Sequence, residues 1–242
     1  MMLRSEIALV TGASTGIGRE AAKALAAEGA AVALVGRSTD GLRETQRQIE
    51  DAGGVAAIFR VDLQDLPALD GFASDVISRL GAPGILVHAA GLWHDKHSSF
   101  ADVPLVDIPP EQIMDVLRVG LIAPVLLTRL FLPAMIRAQR GKIISVSGAF
   151  ASGGAGWIHY YVAARGVENF TVGLAQELRQ HRIQVNCVAP SYTDTEAVRR
   201  FFPERAASAL NPTEVAKLVL FFASDASAHI TGQSVLIRNR DS

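Results

Sequence analysis

The sequence predicts an α/β fold: one doubly wound domain, residues 1–242, whose mostly parallel sheet carries helices on both faces. Three observations predict it. Short apolar runs alternate with longer stretches of helical period along the chain. The runs are continuously apolar instead of alternating, as expected of strands buried on both faces. Breaker pairs fall where one element should give way to the next.

In order, the strand runs are Ile7–Val10, Val32–Val35, Val55–Val61, Ile85–Val87, Ile143–Val146 and Ile183–Val188. Helical stretches separate them at Ile17–Glu28, Gly41–Ala52, Leu66–Leu80, Glu111–Ala138 and Tyr161–Gln180, several rich in Ala, Leu, Glu and Arg. Gly53-Gly54 precedes the third strand, Pro83-Gly84 the fourth, and Gly153-Gly154 follows the fifth. Strands feeding helices in this order require right-handed crossovers. Leu92 to Pro110 is long for a connection after a strand, and long ordered loops are often functional.

At 242 residues, 49% hydrophobic and 19% charged, the chain can bury one large core and has no linker or low-complexity tract to divide it. Lys+Arg at 23 against Asp+Glu at 24 leave a net charge of −1, so no global basic field draws it to nucleic acid or an anionic membrane. The strongly apolar stretch Val119–Leu127 is too short to span a bilayer, and the N-terminus reads as no leader, so no membrane association is expected. The single cysteine, Cys187, excludes an intrachain disulfide and fits a reducing compartment; the cytoplasm is expected. It lies in a strand run and reads as a small buried hydrophobe. His94-Asp95-Lys96-His97 lacks a further ligand, and no metal is expected.

Ile7 to Glu20 reads as a strand, a glycine-rich turn and a helix start, with Gly12, Gly16 and Gly18 in the turn. Gly12 suits a tight turn off the strand. Gly16 lets backbone N–H groups approach a pyrophosphate, and Gly18 lets the helix pack closely. The helix N-terminus then presents unpaired N–H groups and its positive dipole end to the anion. This is a dinucleotide-binding arrangement.

Thr11-Gly12-Ala13-Ser14-Thr15-Gly16-Ile17-Gly18 has the Thr-Gly-x-x-x-Gly-x-Gly spacing of the short-chain dehydrogenase/reductase family, and the resemblance continues almost end to end. His88-Ala89-Ala90-Gly91 stands where that family has Asn-Asn-Ala-Gly. Tyr161-Val162-Ala163-Ala164-Arg165 resembles its Tyr-x-x-x-Lys, Pro190 to Thr195 its Pro-Gly-x-x-x-Thr, and Ile230-Thr231-Gly232-Gln233 its late Thr-Gly-Gln before a last strand. The resemblance implies a Rossmann-type sheet of about seven strands, with the substrate cleft in the C-terminal half. It places Ser14, Thr15 and Ile17 with the glycines at the cofactor, together with Ala89, Ala90, Gly91, Pro190, Thr193 and Thr195. Asp62 and Leu63 fall at the adenine, although Asp62 also suits a helix cap.

The second strand ends Leu34-Val35-Gly36-Arg37-Ser38. Gly36 stands where a carboxylate would hold the ribose hydroxyls of NAD. With no carboxylate to repel a 2′-phosphate, and with the fork of Arg37 and the hydroxyl of Ser38 beside it, NADP(H) is expected over NAD(H).

The catalytic positions depart from the family. Hydride transfer to a carbonyl needs a proton donor and a cation near it. Tyr161 and Arg165, four residues apart on one helical face, have the spacing of that pair. Aligning on Tyr160 instead would put Ala164 at the cation position, so Tyr160 is expected to pack or to border the substrate. The family's Ser position is Gly148 and its relay Asn position is Gly120. A compensating donor is sought in Leu92–Pro110, His159 or Ser147, and an ammonium at 165 is expected to fit the ribose and the Tyr oxygen better than the guanidinium. Arg238-Asn239-Arg240 replaces the family's Asp-Gly-Gly. Trp93, Phe150, Trp157, Phe201 and Phe202 either line the cleft or fill core.

The reading is an NADP(H)-dependent oxidoreductase of a small carbonyl or alcohol substrate, slowed by the missing Ser and Asn. The alternative is a weak or inactive NADP(H)-binding sensor, scaffold or partner subunit. The apolar stretches Glu111–Ala138 and Tyr161–Gln180 resemble those through which family members form homodimers and homotetramers.

Overall fold

The computed structural model describes residues 1–150 and 154–239. Gly153 of the second glycine pair and Arg240 of the C-terminal substitution lie outside the described residues. The strands are β1 Ile7–Thr11, β2 Ala31–Gly36, β3 Val55–Arg60, β4 Ile85–His88, β5 Gly141–Val146, β6 Ile183–Pro190 and β7 Ser234–Ile237. They form one seven-stranded sheet in the order β3-β2-β1-β4-β5-β6-β7, with every pairing parallel. Parallel neighbours need crossovers, and the helices supply them: α1 Gly16–Ala27, α2 Thr39–Asp51, α3 Ala68–Leu80, α4 Pro110–Leu117, α5 Ala123–Ala138 and α6 Ile158–Glu177. Beyond β6 come α7 Glu196–Phe201, α8 Pro203–Ala206 and α9 Pro212–Ala223, three helices the periodicity had not resolved.

Alternate residues of each strand enter opposite cores. Leu9, Ala33, Val35, Leu86, Ile143 and Val185 face α3 to α6, while Ala8, Val10, Val32, Leu34, Val87 and Ile144 face α1, α2 and α9. Both faces are dry, which is why the strand runs are continuously apolar. The chain order reverses between β1 and β4, so the loops after these two strands diverge and leave a crevice at their C-terminal ends.

The helix expected over Glu111–Ala138 is interrupted. A π-helical turn at Arg118–Ile122 joins α4 to α5. Pro124 has no N–H to bond the carbonyl of Gly120, and Gly120 adds backbone freedom, so the ladder slips to a wider turn there. The whole stretch Pro110–Ala138 is long and apolar enough to cross a membrane by length and composition, more than the shorter run Val119–Leu127 suggested. Its Val116, Val119, Ala123, Leu127, Phe131 and Met135 pack into the sheet's core.

Candidate active site

The glycine turn lies at the crevice. Gly12 has φ +69°, and a Cβ there would lie 2.9 Å from the Cα of Ala90. Gly16 has φ +54° and sits under the methyl of Thr195, 2.9 Å from where its own Cβ would be. Both conformations favour glycine, and both leave backbone where a side chain would fill the cradle. Gly18 allows α1 to approach so closely that a Cβ would come within 2.3 Å of the Gly12 carbonyl oxygen. Thr15 precedes α1 in extended conformation and makes no side-chain cap bond, so its side chain does not compete for the N–H groups of the first turn. Two residues outside the motif hold the turn. Thr45 Oγ1 donates to the Ala13 carbonyl at 2.8 Å, and the Arg19 guanidinium donates to the Ser14 carbonyl and to Thr45.

At the end of β2, Arg37 extends over the crevice rim, its side chain 56% exposed, with Asp62 at 4.0 Å. Ser38 caps α2, accepting from the Gly41 N–H at 3.2 Å. The Ser14 hydroxyl lies 3.6 Å from where a Gly36 Cβ would be, and Ser14 Cβ and Ser38 Oγ lie 2.9 and 3.2 Å from where a Gly41 Cβ would be, so Ser14 and Ser38 adjoin at the end of β2. Asp62 accepts from the Gln64 N–H at 3.0 Å, which makes it the cap of a tight turn; α3 begins six residues later, so the helix-cap alternative does not hold. Leu63 is buried beside it.

On the other side, Thr11 Oγ1 accepts from the N–H groups of Ala89 and Ala90 at 3.1 and 3.2 Å and ties β1 to the chain leaving β4. His88 is buried with its Nε2 2.9 Å from Thr128 Oγ1; loss of water pushes its pKa down to about 4, and the ring is neutral. Pro190 ends β6, Thr193 donates to the Ser191 carbonyl, and Thr195 caps α7 by accepting from the Val198 N–H.

Helix α6 brings Tyr161 and Arg165 to this edge. Tyr161 packs on Gly154, whose absent Cβ would lie 2.3 Å from that of the tyrosine, and edge-on to Phe150 at 5.1 Å. The Arg165 guanidinium carbon is 5.5 Å from the Tyr161 ring centre. Arg165 donates through Nη1 to Glu168 Oε2 at 2.7 Å and through Nη2 to the Gly148 carbonyl at 3.0 Å. Its Nε is buried without a partner among the described residues. Tyr160 turns elsewhere: its hydroxyl rests against Gly91, and burial pushes its pKa up to about 12.

Glu168 was not anticipated. Tyr161, Arg165 and Glu168 are spaced i, i+4, i+7, which is one helical stripe, but a glutamate on such a stripe reads from sequence as a solvated charge. Ser147 donates to Glu168 Oε1 at 2.7 Å. This overturns Ser147 as a compensating donor to a substrate, because the strand's alternation has turned it under α6. His159 is likewise committed away: its Nε2 meets the Gln112 amide at 3.1 Å, and it lines a separate cavity of about 220 Å³ with Leu105, Ile113 and Val162. In the Leu92–Pro110 stretch, the Asp95 carboxylate accepts from the N–H groups of His97 and Ser98, and His94 turns onto the Asp95 carbonyl. Gly148 lies outside the left-handed region, and a Cβ there would meet Phe150 Cε2 at 3.1 Å and Tyr160 Cε1 at 3.6 Å. Tyr160 in turn lies 5.9 Å from Trp157, part of an aromatic wall in which Trp93, Trp157 and Phe202 have ring centres 5.8 to 6.2 Å apart. Phe201 extends this wall beyond Trp93.

The residues present fit a dinucleotide. The positive-φ glycines leave a cradle that a Cβ would fill, α1 points its first turn at it, and the buried Nε–H of Arg165 is a donor in need of an acceptor.

Comparison with known proteins agrees with this geometry. The family model described as short chain dehydrogenase matches residues 6–206. The chain is 32% identical to a 3-oxoacyl-(acyl-carrier-protein) reductase of Pseudomonas aeruginosa, across 97% of this chain and 96% of the relative. A metagenomic short-chain oxidoreductase solved in complex with NADP is 33% identical, with a TM-score of 0.83 and 98% of each chain covered. A 3-oxoacyl (acyl-carrier-protein) reductase from Agrobacterium tumefaciens, solved with NADP bound, is 25% identical, with a TM-score of 0.87 over 97% of this chain and 93% of that one.

Proposed function

Because the chain belongs to the short chain dehydrogenase family, we propose that it is an NADP(H)-dependent oxidoreductase acting on a small carbonyl or alcohol, with Tyr161 as the proton donor and Arg165 as the cation beside it. The observation that supports this reading is that the Tyr161–Arg165 pair, tied to the Gly148 carbonyl just after β5, and the glycine cradle just after β1 both lie at the C-terminal ends of the parallel strands. Bound NADP(H) supplies or accepts the hydride. Tyr161 gives its phenolic proton to the carbonyl oxygen in reduction and takes it back in oxidation. Arg165 offers its free Nε–H and remaining donors to the ribose hydroxyls. The N–H groups of the turn from Ser14 to Gly18 and the Thr195 side chain hold the pyrophosphate. Arg37 and Ser38 hold the 2′-phosphate, in keeping with the NADP-bound relatives, and Asp62 and Leu63 border the adenine. Ala89, Ala90 and Gly91 on one side, and Pro190 and Thr193 on the other, form the walls.

The aromatic wall of Trp93, Trp157 and Phe202, joined through Tyr160 to Gly148, favours an apolar flank on the substrate. Met114, Ile122, Val162 and Val172 leave apolar surface exposed along α4, the π turn and α6, which supports a homodimer or homotetramer through those helices. The cytoplasm is the compartment this reading favours.

A second reading, cofactor binding with little turnover, is favoured by Gly148 and Gly120, which carry no hydroxyl and no amide where the family has them. One experiment separates the two: the protein with NADPH and a panel of ketones, followed by nicotinamide absorbance, beside Tyr161→Phe. Turnover lost in the variant supports the enzyme; NADPH binding with no turnover of any ketone supports the second reading.

A further inference from the structure

We infer that Glu168 is a positioning residue, the anchor that fixes the Arg165 guanidinium at the cofactor, with Ser147 locking the anchor in turn. The inference rests on the functional reading above and deepens it. An arginine has more rotatable bonds and a longer reach than the site needs, so its head must be held before it can serve the ribose. Two ties hold it. Nη1 donates to Glu168 Oε2 at 2.7 Å, and Nη2 donates to the Gly148 carbonyl at 3.0 Å. The second carboxylate oxygen accepts from Ser147 at 2.7 Å, so neither oxygen of Glu168 is free to turn away. The Glu168 side chain is only 13% exposed, against 38% for Arg165, so the carboxylate is held largely out of water, unlike the solvated pairs Arg43–Asp40 and Arg47–Asp51 on an outer helix face. With both terminal nitrogens tied, the Nε–H is left buried and unpartnered among the described residues. A buried donor kept without an acceptor is costly unless a ligand completes it.

The arrangement also links two of the departures from the family. Gly148 contributes its carbonyl to Arg165 in place of a side chain to the substrate, and the hydroxyl next to it, Ser147, serves the carboxylate.

A double-mutant cycle on NADPH affinity tests the inference, read by nicotinamide fluorescence and needing no turnover. Glu168→Ala should weaken NADPH binding about fivefold to tenfold with Arg165 present and change nothing in an Arg165→Ala background, since the coupling of contacting residues is of that order. Glu168→Gln keeps an oxygen for Nη1 and an amide for the Ser147 oxygen, and should stay within about twofold of wild type. Ser147→Ala is a milder variant should Glu168→Ala fold poorly; it should cost about twofold, again only with Arg165 present. Losses of equal size in the two backgrounds would mean that Glu168 acts independently of Arg165 and would overturn the inference, as would unchanged or tighter binding in Glu168→Ala. A wild type that binds no NADPH would overturn the functional reading itself, an outcome distinct from binding with additive losses.

Discussion

Gly148 is where the chain lacks a hydroxyl that its family uses to polarise the substrate, so Gly148→Ser is the most direct perturbation of the chemistry. The backbone accepts it, because Gly148 does not use positive φ. Space is tighter. The new Cβ would lie 3.1 Å from Phe150 Cε2 and 3.6 Å from Tyr160 Cε1, so Phe150 must shift by a few tenths of an ångström. Overpacking of this kind costs about 1 kcal/mol, the low end for an added group in a filled site. For a chain of this length that is a fall of about 2–4 °C in melting temperature. Against it stands the donor. Losing one preorganised donor to a developing oxyanion costs about a hundredfold to a thousandfold in kcat, so regaining one in imperfect alignment should raise kcat for a simple ketone about tenfold. The assay is NADPH oxidation at saturating cofactor, with Gly148→Ala as control, since alanine brings the same Cβ contact and no hydroxyl. Both variants should melt lower than wild type, and only the serine should be faster. If serine and alanine give the same kcat, or serine is slower at unchanged stability, another group already polarises the substrate and the reasoning from the missing hydroxyl fails.

Two further outcomes follow from the cofactor rim and the core. Arg37→Ala should weaken NADPH about tenfold to a hundredfold, the worth of a charge-assisted pair to phosphate, and leave NADH unchanged; its loss of the exposed Asp62 contact costs little, and calorimetric titration of both nucleotides checks it. His88 should make stability depend on pH. Burial lowers its pKa from 6.5 to about 4, so between those values the unfolded chain binds a proton that the folded chain does not. Stability therefore rises with pH across that window and is lost as pH falls through it, by about 3 kcal/mol in full. His88→Asn, which has nothing to protonate, should flatten urea-unfolding free energies from pH 4 to 6.5; a slope as steep as wild type would place the titrating group elsewhere.

Much of this molecule is legible in its sequence, for physical reasons that also mark where the reading stops. Strands buried on both faces must be apolar throughout, so six of the seven strands show as plain runs, while β7, whose Ser234 and Leu236 are exposed, shows only through family resemblance. The glycine turn is legible because its glycines are demanded by backbone shape. The π turn at Arg118–Ile122 is not, since it depends on one missing N–H at Pro124 and leaves the apolar pattern of α4 and α5 intact. Glu168 is the most instructive case. A glutamate on a helix ordinarily reads as a solvated charge, and only the third dimension brings it under Arg165 with Ser147 on its far oxygen. That placement changes what Arg165 means. Taken alone, arginine for lysine is a substitution that an ammonium should improve upon. In the structure the guanidinium spans a carboxylate and a carbonyl at once, with its third nitrogen buried and unpartnered among the described residues. An ammonium also has three donors but presents them from one point, whereas these ties leave from two separate nitrogens, so Arg165→Lys alone should lose one tie without restoring the family's site, an outcome that NADPH affinity of the variant checks.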